Sequence, residues 1–327
     1  MAASPTPRPK PAEAGANPAR APLQALHPDL PVAVAFSGGA DSTALVLAAC
    51  ALWPGRVSAI HVHHGLQAAA DGFQARCEAV CTQLQVPLQV VRVDARHAPG
   101  QSPEEAARRA RYEALAGAAR TGGARAVLLA QHADDQVETL LLALSRGAGL
   151  PGLAAMPATF ERHGVRFHRP LLRVPGPSLR SWLAGAGIPF AEDPANADPR
   201  FTRSRIRHEV LPALDAAFPS WRETFARSAA HAAQAQALLA EFAALDLAEM
   251  EGAPRIDTLR QWSRERQANL LRHWLRSVHG AAASTVQLEE ALDQVADCTT
   301  AAHRLHIRVG NGVLERQGAR LTWSPSV

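Results

Sequence analysis

The chain has 327 residues, long enough for two domains and more than one hydrophobic core. Apolar residues make up 47% and charged residues 20%, the composition of an ordinary globular protein, and no apolar run approaches a membrane span or a signal-peptide core. The net charge is +4 and Lys10 is the sole lysine, so almost every cation is an arginine, a planar donor suited to phosphates and bases.

The four cysteines (Cys50, Cys77, Cys81 and Cys298) form neither a secreted framework nor a C-x-x-C pair, and a reducing cytoplasm is the expected location. Cys77 and Cys81 share one face of an amphipathic helix and read as small hydrophobes.

Residues 1–27 are rich in Pro and Ala without periodicity and predict a disordered tail, whose removal through residue 25 is expected to leave activity intact. From Asp29 to Ala130 apolar strands alternate with helices. Val32–Phe36 reads as a strand, and a Gly turn leads from it into a helix that Pro54-Gly55 ends. Strands follow at Val57–Val62, Leu88–Val93 and Ala126–Ala130, with helices over Asp71–Leu84 and from Ser102-Pro103-Glu104-Glu105, a capping-box spacing, to Arg120. Near-continuous apolar strands separated by helices indicate a parallel sheet covered on both faces.

Residues 147–212 are richer in Gly, Pro and Arg, and only Pro177–Gly185 reads as helical. Long Ala- and Leu-rich helices then cover about 220–249, 257–279 (capped by Asp257) and 284–297 (capped by Ser284), before a hairpin of His303–Val309 and Val313–Gln317. The expected architecture is therefore α/β: a doubly wound parallel sheet over 28–214 and a second, smaller, mainly helical domain over 215–327, with the boundary near 213–218.

The turn after the first strand is Ser37-Gly38-Gly39-Ala40-Asp41-Ser42. Two glycines let backbone N–H groups approach an anion, and the following helix points its positive dipole end at the same spot. Hydroxyls of Ser37, Ser42 and Thr43 add donors, and Asp41 supplies a carboxylate that can hold Mg²⁺ against phosphates. No Gly-Lys-Ser/Thr follows, so this is not a Walker loop.

A second group, Gln131-His132-Ala133-Asp134-Asp135-Gln136-Val137-Glu138-Thr139, begins where the fourth strand ends. Val137, Leu140, Leu141 and Leu144 follow at core spacing, which leaves Asp134 or Asp135 and Glu138 on another face near the helix start. Helix capping accounts for one carboxylate, but not for a histidine and three carboxylates at the ligand end of a parallel sheet. Asp41 with Asp135 suits Mg²⁺, and Glu138 or His132 suits removal of a proton from an amine.

His61-Val62-His63-His64 cannot all converge on zinc, because alternate strand residues face opposite sides. A core histidine with one or two facing the site is the better reading. Arg108, Arg109 and Arg111 beside Tyr112 fit a solvated cationic face as well as a substrate role. Arg203, Arg205, Arg207 and His208, with Arg162, Arg166, Arg169 and Arg173 upstream, form a candidate track for RNA phosphates.

The Ser37–Ser42 loop resembles the pyrophosphate-binding loop of the N-type ATP pyrophosphatases, a Rossmann-like superfamily. Further strings extend the likeness: His61-Val-His-His-Gly-Leu66, Glu105-Ala-Ala-Arg108-Arg-Ala-Arg111-Tyr112 and His132–Thr139, then Arg146–Gly149, Gly152–Met156, Arg169-Pro-Leu-Leu172, Asp193–Asn196 and Arg203–Arg207. Collinear over about 31–215, they are similar to the tRNA(Ile)-lysidine synthetase family.

The resemblance implies a ligase that uses ATP and Mg²⁺. Such a ligase adenylates the wobble cytidine of a CAU-anticodon isoleucine tRNA and then joins free lysine to it, with no membrane and no obligate protein partner. It implies Ser37, Gly38, Gly39, Ala40, Asp41 and Ser42 at ATP, and Asp41 and Asp135 at Mg²⁺. Asp41, His132, Asp135, Glu138, Arg203 and Arg207 fall to catalysis. Arg108, Arg111, Arg169, Arg203, Arg205 and Arg207 fall to tRNA.

Departures from the family pattern are His63 for Asn, Gln67 for Arg, Ala195 for Ser and Ser204 for Asn. A sulfurtransferase on the same fold would need a catalytic cysteine or a C-x-x-C cluster, and a nucleotide sensor would not need the Asp134/Asp135/Glu138 group. Amidotransferase relatives would need a glutaminase partner.

Overall fold

The computed structural model describes residues 15–63, 70–93, 103–192, 198–300 and 303–326. His64–Gln67, the Ser102 cap and Asp193–Asn196, all singled out above, lie outside the described residues. None of the described helices is long and apolar enough to cross a membrane.

The chain divides into two compact units, Met1–Ala230 and His231–Val327. In the first, the elements in order are α1 (Arg20–Gln24), β1 (Val32–Ala35), α2 (Ala40–Leu52), β2 (Val57–His63), α3 (Ala70–Leu84), β3 (Leu88–Arg92), α4 (Pro103–Thr121) and β4 (Ala126–Leu128). Then come α5 (Ala133–Ser145), α6 (Leu150–Leu153), β5 (Thr159–Arg162), β6 (Val165–His168), α7 (Gly176–Gly185), α8 (Thr202–Arg205), a π-helical turn (Ile206–Val210) and α9 (Leu211–Ala217).

The sheet order is β3-β2-β1-β4-β6-β5, parallel except for β5 at the edge. Alternation in β1 and β4 splits the core. Val32, Val34, Phe36, Ala126 and Leu128 pack toward α2, α3 and α7, whereas Ala33, Val127 and Leu129 pack with Tyr112 and Leu115 of α4. This is the expected doubly wound arrangement.

Several features differ from the sequence reading. Residues 20–24 are a helix, and Ala19 and Leu23 are fully buried against the sheet core, so the expected disorder through residue 27 does not hold there. The apolar residues of this segment are too few to show a period, yet two suffice to fill a gap. The β5–β6 hairpin was not anticipated. Its two-residue turn, His163-Gly164, has φ of 51° and 70°, the type I′ requirement normally met by Asn-Gly or Asp-Gly. Leu144, expected on the core face, is exposed, although Val137 and Leu140 on the same helix are buried and Val137, Leu141 and Leu142 pack with Ile206, Leu211 and Trp221.

That last cluster carries α9 and the first turns of α10 (Trp221–Glu249) with the first unit, and the division falls inside α10 at Ala230, beyond the expected 213–218 boundary. In the second unit, α11 (Ile256–Leu259), α12 (Arg264–His279) and α13 (Thr285–Asp297) share a core with the sheet β7 (His306–Val309), β8 (Gly312–Gln317) and β9 (Arg320–Pro325). The helix expected over 257–279 is broken: Ser263, not Asp257, caps α12 by accepting the Arg266 N–H. Ser284 caps α13 as expected, in a capping box with Gln287. The hairpin gains β9 as a third strand.

Candidate active site

The loop after β1 and the residues after β4 lie at the carboxyl ends of parallel strands, where such sheets bind ligands. Gly38 has φ +83°, and a Cβ there would lie 3.2 Å from the Cys77 Sγ, so both backbone and space require glycine. Gly39 is the N-cap of α2, whose first N–H groups are left without intrahelical partners.

Thr43 Oγ1 and Ser42 Oγ donate to the Gly39 carbonyl at 2.8 and 3.1 Å, and Ser37 Oγ lies 3.0 Å from Ser42 Oγ. Ala191 N–H donates to the Gly38 carbonyl at 2.9 Å, laying the chain after α7 along the loop. Beneath it, His61 Nδ1 sits 2.9 Å from the Phe36 carbonyl, the satisfied core histidine expected from sequence. His63 is buried on the same strand face, 3.2 Å from Asp71, and among the described residues no three His, Cys, Asp or Glu side chains are grouped to hold a metal.

Burial pushes the Cys77 thiol up to about 12 and those of Cys50 and Cys81 to about 11, so none of the three is set up as a nucleophile.

His132 closes β4 and is the N-cap of α5, its backbone N–H donating to Asp135 Oδ2 at 3.0 Å. The imidazole is buried among three carboxylates: Nε2 is 3.6 Å from Asp41 Oδ2 and 3.5 Å from Asp135 Oδ2, and Nδ1 is 3.5 Å from Asp134 Oδ2. Burial opposes its charge, but Asp135, Asp41 and Asp134 raise His132 to about 9. Burial likewise opposes ionisation of Asp41, yet the hydrogen bond and charge of His132, with Arg180 and Arg207, hold it below its ordinary value. Asp41 Oδ1 is buried without a hydrogen-bond partner, an unsatisfied acceptor of the kind a cation relieves.

On the next turn of α5, Glu138 is fully buried. Arg207 Nε donates to its Oε1 at 2.8 Å, Arg207 Nη2 reaches the same oxygen at 2.7 Å and Asp135 Oδ1 at 3.4 Å, and Arg203 Nη1 lies 3.6 Å from Oε2. Burial raises the Glu138 carboxyl above its ordinary value despite Arg207. Arg203 in α8 and Arg207 in the π-helical turn are four residues apart, and both reach one carboxylate.

Of the six residues expected at catalysis, the structure thus brings together Asp41, His132, Asp135, Glu138, Arg203 and Arg207. Asp134 and Asp135, alternatives in the sequence, separate: Asp134 accepts the Gly176 N–H at 2.8 Å and Arg222 Nε at 2.8 Å, so both its oxygens serve the protein.

Arg169, expected at tRNA, is buried instead. It donates to Gln131 Oε1, the Pro157 carbonyl and the Tyr112 hydroxyl at 3.1, 2.8 and 2.9 Å, and lies over the Phe160 ring. Three of its five N–H donors are committed to the protein, and at 3% exposure the guanidinium is turned away from solvent. Arg108, Arg111 and Arg205 are exposed on their helices. Sequence reasoning missed Arg180, Gly176, Asp215 and Arg222, which act through contacts that no local pattern encodes.

A model of the PP-loop domain matches residues 18–214, and one of the TilS substrate binding domain matches 255–322. A tRNA(Ile)-lysidine synthase of Polaromonas naphthalenivorans is 58% identical over 95% of this chain and 96% of its own. That of Pseudomonas aeruginosa is 44% identical over 90% of this chain and 69% of its own, and that of Bordetella pertussis 44% over 88% and 93%. Among solved structures, the U34-tRNA thiolase of Methanococcus maripaludis shares the fold at a TM-score of 0.55 and 16% identity, covering 65% of this chain and 76% of that one. With this identity along nearly its whole length, and the loop, His132 and the paired acids in place, the chain belongs to the tRNA(Ile)-lysidine synthase family.

Proposed function

We propose that the protein forms lysidine at the wobble cytidine of the CAU-anticodon isoleucine tRNA in two steps at this one site. In the first, the cytosine C2 oxygen attacks the α-phosphorus of ATP; the bond to the β-phosphate oxygen breaks and pyrophosphate leaves. In the second, the ε-amine of free lysine attacks C2, the C–O bond breaks and AMP leaves. The amine's protons pass to a base.

The observation that carries this reading is the convergence of Asp41, His132, Asp135, Glu138, Arg203 and Arg207 from four separate elements at the sheet's carboxyl edge. The loop and the N-terminus of α2 suit the pyrophosphate end of ATP, where fixed N–H groups stabilise the charge that leaves. His132, carrying a proton up to about pH 9, adds a cation at the same place. Arg203 and Arg207 suit the charge on the adenylate, and Glu138, with its raised carboxyl, suits the second step, holding an ammonium and accepting its proton.

Mg²⁺ fits Asp41, whose Oδ1 is buried without a hydrogen-bond partner among the described residues, together with Asp135, and when bound would neutralise phosphate charge; two carboxylates leave the remaining positions to phosphate and water. Exposed Arg108, Arg111 and Arg205 suit tRNA phosphates.

The test is transfer of radiolabelled lysine to CAU-anticodon isoleucine tRNA with ATP and Mg²⁺, with Asp41→Ala as control. Transfer in the wild type that the variant abolishes supports both the reaction and the loop. AMP release that depends on tRNA without lysine transfer would keep the adenylating step and reject the nucleophile, moving sulfur transfer to the front.

A further inference from the structure

We propose that Arg222 is a positioning residue for His132: it fixes Asp134, and through Asp134 the Gly176 backbone against which the imidazole rests. The inference rests on the reaction proposed above and assigns part of its geometry to the first turn of α10.

Arg222 is held on three sides. Its Nε donates to Asp134 Oδ1 at 2.8 Å, its Nη1 donates to Asp215 Oδ1 at 2.6 Å, and its guanidinium carbon lies 4.1 Å from the centre of a Trp221 ring. Trp221 is buried and donates its indole N–H to the same Asp215 oxygen at 2.7 Å, so the platform under Arg222 is itself fixed. Among the described residues its ion pairs are with Asp134 and Asp215, and it reaches neither Asp41, Asp135 nor Glu138.

Asp134 passes this constraint on. It is 5% exposed, and its Oδ2 accepts the Gly176 N–H at 2.8 Å. A Cβ on Gly176 would stand 2.8 Å from His132 Cε1 and 2.9 Å from Nε2, so the ring lies directly on the glycine. With Gly176 fixed on one side, the imidazole can present Nε2 to Asp41 and Asp135.

Without Arg222, Asp134 Oδ1 loses its partner in a buried place. The carboxylate is then drawn to the other donor within reach, His132 Nδ1, now 3.5 Å from Oδ2. That movement pulls Nε2 away from the two site carboxylates. Misplacement by about 1 Å at a reacting centre is enough to cost on the order of a hundredfold in rate.

The experiment compares wild type, Arg222→Ala, Arg222→Lys, Asp134→Asn, the double variant Arg222→Ala/Asp134→Asn, and Asp215→Asn, each checked for folding by thermal denaturation. The readouts are AMP release dependent on tRNA, KM for ATP and Kd for tRNA. Arg222→Ala is expected to lower kcat by about ten- to a hundredfold while KM for ATP and Kd for tRNA stay within about threefold. Arg222→Lys recovers part of the loss. The double variant is no slower than the slower single one, because both act through one path.

Asp215→Asn, which removes one of the three holds on Arg222, is expected to lower kcat by a smaller factor than Arg222→Ala, and a larger loss than in Arg222→Ala would overturn the proposal. A kcat for folded Arg222→Ala within about twofold of wild type, or losses that multiply in the double variant, would overturn the proposal. Should Arg222→Ala not fold, the near-isosteric Asp134→Asn decides alone, and an undiminished kcat there overturns it. Absence of AMP release in the wild type would refute the reaction itself, and the inference with it.

Discussion

Arg207→Ala leaves a fully buried carboxylate short of its main partner, and its consequence can be worked from the geometry. Two nitrogens of Arg207 lie 2.8 and 2.7 Å from Glu138 Oε1, and after their removal Arg203, 3.6 Å from Oε2, is the cation left beside it among the described residues. Breaking a buried ion pair on one side costs about 3–5 kcal/mol; water reaches Arg207 and Arg203 stays, so the expected loss is at the lower end, about 3 kcal/mol. For a unit of this size that corresponds to a fall in Tm of about 6–12 °C.

The loss depends on pH. In the folded state Glu138 is already raised above 4.5 by burial, so between the two values the folded protein holds a proton that the unfolded chain has released. Its contribution is therefore unfavourable, absent below 4.5 and complete above the raised value, and removing Arg207 enlarges it. Urea unfolding at about pH 5 and about pH 8 should show the larger deficit at the higher pH, and adding Glu138→Gln should restore most of it by removing the stranded charge. A deficit equal at both pH values and not relieved by Glu138→Gln would refute the argument.

Three further outcomes are expected. Deleting residues 1–25 removes the fully buried Ala19 and Leu23 and the Asn17 Nδ2 bond to the Ala44 carbonyl, so stability should fall; Leu23→Ala alone should cost about 2–5 kcal/mol by urea unfolding. Gly38→Ala forces a side chain into φ +83° and toward Cys77, and should weaken ATP binding by calorimetry far more than it lowers Tm; unchanged affinity would contradict the assigned role of the loop. His132, raised from 6.5 to about 9, contributes stability that is complete below 6.5 and lost as pH rises through about 9; in His132→Gln that decline between the two values should vanish from the stability–pH curve.

Much of this protein is written locally. The apolar runs at β1, β2 and β4, the Gly turn at Gly38-Gly39, the start of α4 at Pro103 and the cap at Ser284 each depend on residues within a few positions of one another. Backbone sterics and helix-end hydrogen bonding act at that range, so the sheet, the loop and the helix carrying His132, Asp135 and Glu138 could be read in chain order.

Where the signal is weak or borrowed, the reading failed. His163 occupies a left-handed turn position usually taken by Asn or Asp, Ser263 outcompetes Asp257 as a cap, and Leu23 is buried with too few neighbours to show a period. What tertiary structure alone decided is which polar groups meet. Arg207 reaches Glu138 across 69 residues, Arg222 reaches Asp134 across 88, and Arg169 reaches the Tyr112 hydroxyl across 57. A charged side chain in a sequence carries no record of its partner, because a buried charge is assigned one only when packing removes the water that would otherwise serve.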